Sequence, residues 1–156
     1  MLTIHPLAAR LLVCASLLGA AASQAQTGAA GDDRQGTFKT VQGDVTVVRG
    51  NARSAAVSGG ALRAEDRVLT GPASAAAVTL RDGTVLSVGP ESAVDLSQFS
   101  FNPTTQEGNV LVKLARGALR MTTGLIAKLK PEQVQVTTPT TVIGVRGTDF
   151  IVEENP

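Results

Sequence analysis

The side chains that could do chemistry are few. The only histidine and the only cysteine, His5 and Cys14, lie near the start of the chain, and there is no Trp or Tyr. Past that start, Ser-His-Asp and Cys-His nucleophilic catalysis and imidazole or thiolate metal sites have no residues to build them, leaving carboxylates, hydroxyls, Lys and Arg. Asp44, Asp66, Asp82 and Asp95 each stand beside a predicted turn, where aspartate bonds its own backbone, so they are read as structural and not as an acid and base pair. Asp32 and Asp33 match no calcium-loop spacing, and no glycine-rich loop leads into Lys-Ser/Thr to cradle phosphate. No metal and no cofactor are expected.

One group stands apart. Arg146 is bracketed by Gly144 and Gly147 in the stretch TTPTTVIGVRGTDF, residues 137–150. Its planar fork suits carboxylates and phosphates, while the plainer reading makes it an internal clamp on turn carbonyls. Pro139 belongs at a strand start or edge, the Thr/Val/Ile density favours extended backbone, and the glycines suit a bulge or turn. The chain is expected to kink at Arg146 and resume as a strand through Phe150, Ile151 and Val152.

Residues 1–25 read as a secretory signal peptide: one basic residue ahead of an apolar run from Leu11 to Ala22, then Ser23-Gln24-Ala25 as the cleavage site. The run is short for a membrane span, which takes about 20 residues, and Leu12-Val13 before Cys14 argues against lipid attachment. Removing this segment takes away Arg10, one of 14 basic residues, and none of the 13 acidic ones, leaving a formally neutral chain. A neutral chain without a basic cluster lacks the footprint for nucleic acid. The destination is periplasmic or secreted, with no disulfide framework and no later membrane segment.

Residues 26–36 read as a disordered leader, and 37–156 as one all-β domain. Strands are expected at 37–41 and 43–48, a small-residue loop at 52–60, and a short strand ending before Gly71-Pro72. A hairpin follows, 75–80 and 85–88 about Arg81-Asp82-Gly83-Thr84. Val94 to Phe101 alternates with a slip between Leu96 and Phe99 that predicts a bulge, and Asn109–Arg116 and Ala118–Thr123 form two strands around Gly117. Leu125–Lys130 is one short helical turn stopped by Pro131, and Val134–Thr137 leads into the final stretch. Phe38, Phe99, Phe101 and Phe150 are core candidates. Recurrent Gly-x-Val patterns suggest a rolled or solenoid-like stack of short strands, with a β-sandwich as the alternative.

Leu69-Thr70-Gly71, Leu80-Arg81-Asp82-Gly83-Thr84-Val85-Leu86-Ser87-Val88-Gly89-Pro90-Glu91-Ser92, Gly117-Ala118-Leu119-Arg120 and the terminal TP…IGVRGT…F resemble the FecR domain over roughly Thr37 to Val152. The resemblance implies an exported all-β domain with no catalytic residues. In signalling members it lies in the periplasm, receives ligand occupancy from an outer-membrane siderophore receptor, and passes it through one membrane helix to a cytoplasmic anti-sigma segment. Here a cleavable signal stands where that segment and helix would be, so the expectation is a stand-alone, non-enzymatic interaction module accessory to envelope signalling or assembly. The partner is expected to be another envelope protein. A further copy of the chain could instead be held through an exposed edge strand, with Arg146, Phe150, Ile151 and Val152 as contact residues. The alternatives are a ligand or cell-wall glycan binding domain and a receptor-linked regulator of an extracytoplasmic sigma-factor system.

Overall fold

The segment Ala75–Leu80 shows how this sequence becomes a sheet: Ala76, Val78 and Leu80 are buried and Ala75, Ala77 and Thr79 half-exposed, a strict period of two. The computed structural model describes residues 33–147 and 149–155. The expected signal peptide at 1–25 and leader residues 26–32 lie outside the described residues. Gln35 already bonds the sheet through its N–H to Leu62 and its carbonyl to Arg81.

The described chain runs through β1 Gly36–Gln42, β2 Val45–Arg49, β3 Ala52–Ala55, β4 Ala61–Leu62, β5 Arg67–Thr70, β6 Ala75–Leu80, β7 Val85–Val88 and β8 Ala93–Phe101. Then come β9 Gly108–Thr122, the short helix α1 Leu125–Leu129, a 3-10 turn Pro131–Gln133, β10 Val134–Thr137, β11 Val142–Gly144 and β12 Asp149–Glu154. It is the expected all-β fold, curled into a roll. One wing is ordered β12-β9-β7-β6-β1-β4 and the other β3-β2-β5-β8-β9-β10-β11. All pairings are antiparallel except β9 with β10. The wings enclose one apolar core that includes Phe38, Val78, Leu86 and Met121 from one side and Leu96, Phe99, Val112 and Val136 from the other.

Two expectations change. The strands around Gly117 are one 15-residue strand, β9. Gly117 takes φ +87°, a left-handed conformation that bends the strand where its partners change from β8 and β10 to β7 and β12. Asp95 lies within β8, opposite Arg67 of β5, and not at a turn. The hairpin and the bulge stand as read: β6 pairs with β7, and the β8–β9 register shifts between Leu96 and Gln98.

Two of the places where the chain passes between the wings are equivalent corners, Gly-Pro-Ala-Ser at 71–74 and Gly-Pro-Glu-Ser at 89–92. In the first, Gly71 donates its N–H to Asp44 O at 2.9 Å and Ser74 Oγ accepts the Asp44 N–H at 2.9 Å. In the second, Gly89 donates to Ala118 O at 2.9 Å and Ser92 Oγ accepts the Ala118 N–H at 3.0 Å. Each corner grips the residue after a left-handed glycine, Gly43 or Gly117. Thr70 joins the two corners: its hydroxyl donates to Gly89 O at 2.6 Å and accepts the Ser92 N–H at 2.9 Å. These two strand crossings are thus held by paired hydrogen bonds from Gly71 and Ser74 and from Gly89 and Ser92. The resulting scaffold ends in the C-terminal stretch.

Candidate functional site

Each turn or strand aspartate has a structural task. Asp66 is fully buried and takes a two-pronged hydrogen bond from Arg49, at 2.7 and 2.6 Å, with the Arg63 N–H at 2.8 Å. Asp82 accepts the Thr84 N–H at 3.0 Å and hydroxyl at 2.7 Å, while its carbonyl receives the first N–H of α1, from Leu125. Asp95 is clamped by Arg67 at 2.5 and 2.8 Å. Asp44 is exposed and contributes its backbone to the first corner. Asp33 pairs with Arg63 at 2.8 Å. Among the described residues no group of three or more carboxylates, histidines or cysteines converges as a metal site would require. A groove of about 480 Å³ between β2, β5 and β8 is lined by Glu65, Arg67 and Asp95, but its arginine and aspartate are spent on each other.

The C-terminal stretch is where the scaffold stays open. Val145 is buried and donates its N–H to Val134 O at 3.3 Å; Gly147 O accepts the Thr123 hydroxyl at 2.8 Å. Arg146 is therefore carried on a backbone anchored on both sides. Its side chain is exposed, and among the described residues it makes no hydrogen bond or ion pair. The expected internal clamp is not what the fold builds, because Val145 takes the inward position and alternation turns Arg146 out.

Beyond it, β12 pairs with β9 from Asp149↔Thr122 to Glu154↔Gly117. Its other edge has no strand beside it among the described residues. Phe150 packs against the core and Val152 lies within it, so of the four expected contact residues these two offer only backbone. Ile151 is 63% exposed, alternating with Asp149 and Glu153 on the outer face. Arg120 holds Asp149 by a two-pronged hydrogen bond, which draws the carboxyl below its usual range and raises the guanidinium further. At this exposure the pair adds little stability; it fixes where β12 begins.

A second open edge escaped the sequence reading. Ala52-Arg53-Ser54-Ala55, a loop by composition, is β3, paired among the described residues with β2 alone and exposed at all four residues. The signal missing there is alternation: neither of its faces is covered, so the sequence had no buried face to mark.

A family model described as FecR protein matches residues 66–156. The match starts later than the resemblance, which began near Thr37, and omits β1 to β4. No curated protein and no solved structure matches.

Proposed function

The chain belongs to the FecR family, and from that premise we propose that it is a non-enzymatic interaction module of the bacterial envelope. Signalling-related regulation is what the family implies, and no helix among the described residues is long and apolar enough to cross a membrane. In this reading the module acts from the periplasm and works by strand addition. An extended segment of another polypeptide pairs with the open edge of β12, and its flank meets Arg146.

The observation that carries this is the edge itself: a six-residue strand, anchored to β9 on one side and open on the other, with Ile151 exposed at its centre. Main-chain hydrogen bonds to such an edge supply affinity, and alternate side chains supply specificity. Asp66, Asp82 and Asp95 are each engaged in structural hydrogen bonds, which supports recognition over catalysis.

The test is recovery of partners from envelope extracts on immobilised wild-type chain and on Ile151→Lys. The side chain is exposed, so the variant folds and its circular dichroism matches wild type. A lysine at the centre of the edge should cut recovery by about tenfold, the loss of roughly 1.4 kcal/mol. Equal recovery on both chains would overturn the reading.

A further inference from the structure

Two edges of the roll carry opposite charge, and neither charge is neutralised within the described chain. On β12, Glu153 is exposed and unpaired, beside Glu154. On β3, Arg53 is exposed and unpaired. Of the other open edges, β4 has two residues and β11 three, none of them charged. We propose that the polypeptide taken up by β12 is β3 of a second copy of this chain. The inference rests on the strand-addition reading given above.

Register supports the choice. Arg53 lies opposite Val48 and Val48 opposite Arg67, which places Arg53 on the outer face of its wing. Glu153 is on the outer face of the other wing. Antiparallel pairing with Arg53 opposite Glu153 puts Ala55 opposite Ile151, with Val57 two residues past the end of β3. Val57 and Ile151 are among the few large apolar side chains left exposed, at 61% and 63%. Opposite-charge and apolar cross-strand pairs of this kind stabilise a ladder, whereas like charges directly opposite destabilise it.

Charge also disfavours the symmetric pairing centred on Ile151. Two β12 strands paired antiparallel about Ile151 would set Asp149 of each against Glu153 of the other. The favoured contact is therefore between different edges, and such contacts do not close on themselves in pairs; they propagate into rings or open chains. Because β3 and β12 border different wings, a copy that has accepted a strand at β12 still offers its own β3. With only four residues in β3, each contact is weak and the assembly concentration-dependent.

Sedimentation of the full chain over about a hundredfold range of concentration decides the matter. The average mass should climb past the dimer without a plateau there, and fall back as salt screens the ion pair. Arg53→Glu should weaken association about tenfold, and the chain carrying both Arg53→Glu and Glu153→Arg should regain it, since the pair is re-formed with its signs exchanged. A mass that stays monomeric, an Arg53→Glu chain that assembles like wild type, or a double variant that stays dissociated overturns the proposal. If self-association is absent while Ile151→Lys still cuts recovery of an envelope protein about tenfold, only this inference falls. If Ile151→Lys alters neither, the strand-addition reading falls with it.

Discussion

A Gly117→Val chain should lose a large part of the stability of the native roll. Gly117 sits at φ +87°, where a branched side chain is strained. A Cβ there would also lie 2.2 Å from Ser92 Oγ and 2.6 Å from Ser92 Cα. Ser92 cannot give way: it is fully buried, its hydroxyl donates to Pro90 O at 2.9 Å, and it receives the Ala118 N–H. Strain and overlap together should cost about 3–5 kcal/mol, a large part of the roughly 5–15 kcal/mol that holds a typical domain. Gly50 makes the control, since it shares the left-handed conformation, at φ +56°, with nothing within 4 Å of a Cβ. Gly50→Ala should cost only about 1 kcal/mol. Urea midpoints measure both; similar shifts for the two would mean that the second corner does not grip β9 as described.

The second large effect lies at the Arg49–Asp66 pair, and it is asymmetric. Asp66 is fully buried while Arg49 is 43% exposed. Arg49→Ala strands a carboxylate inside the protein and should cost about 3–5 kcal/mol. Asp66→Ala leaves a guanidinium that water can reach, with one backbone N–H, that of Arg63, losing its acceptor. Its cost should be nearer 2 kcal/mol. The double variant should therefore be more stable than Arg49→Ala alone, because removing the stranded charge relieves part of the damage. Chemical denaturation of the three variants reads this directly. A double variant that is the least stable of the three would show that the carboxylate's backbone partners, and not the ion pair, hold it in place.

Much of this was legible in the residues. The Asp82-Gly83 turn, the slip at Leu96–Phe99 and the stop at Pro131 are local codes, written within a few positions of the features they cause. The terminal motif also read correctly as kink and strand. What could not be read depends on distant partners. Gly117 looks like a strand break until Ser92 is seen to receive Ala118, 26 positions on, and Asp95 looks like a turn residue until Arg67 is found opposite. The equivalence of the two Gly-Pro-x-Ser corners is hidden because what each one grips, Asp44 or Ala118, comes from elsewhere in the chain. β3 lacks the alternation that marks a covered strand. For Arg146, spacing alone does not say that Val145 takes the inward place. The candidate contacts divided for the same reason: Ile151 and Arg146 face out, while Phe150 and Val152 complete the core.

The central claim is that the outer edge of β12 is the contact surface of this domain. Residue-resolved amide hydrogen exchange tests it most directly, because alternate amides of an edge strand point toward its neighbour and away from it. In the dilute chain, the amides of β12 bonded to β9 should be protected and the alternate ones should exchange freely. On association, those alternate amides should become protected while β4 and β11 stay unchanged. Association that leaves the outward amides of β12 exchanging at their dilute rates would contradict the account.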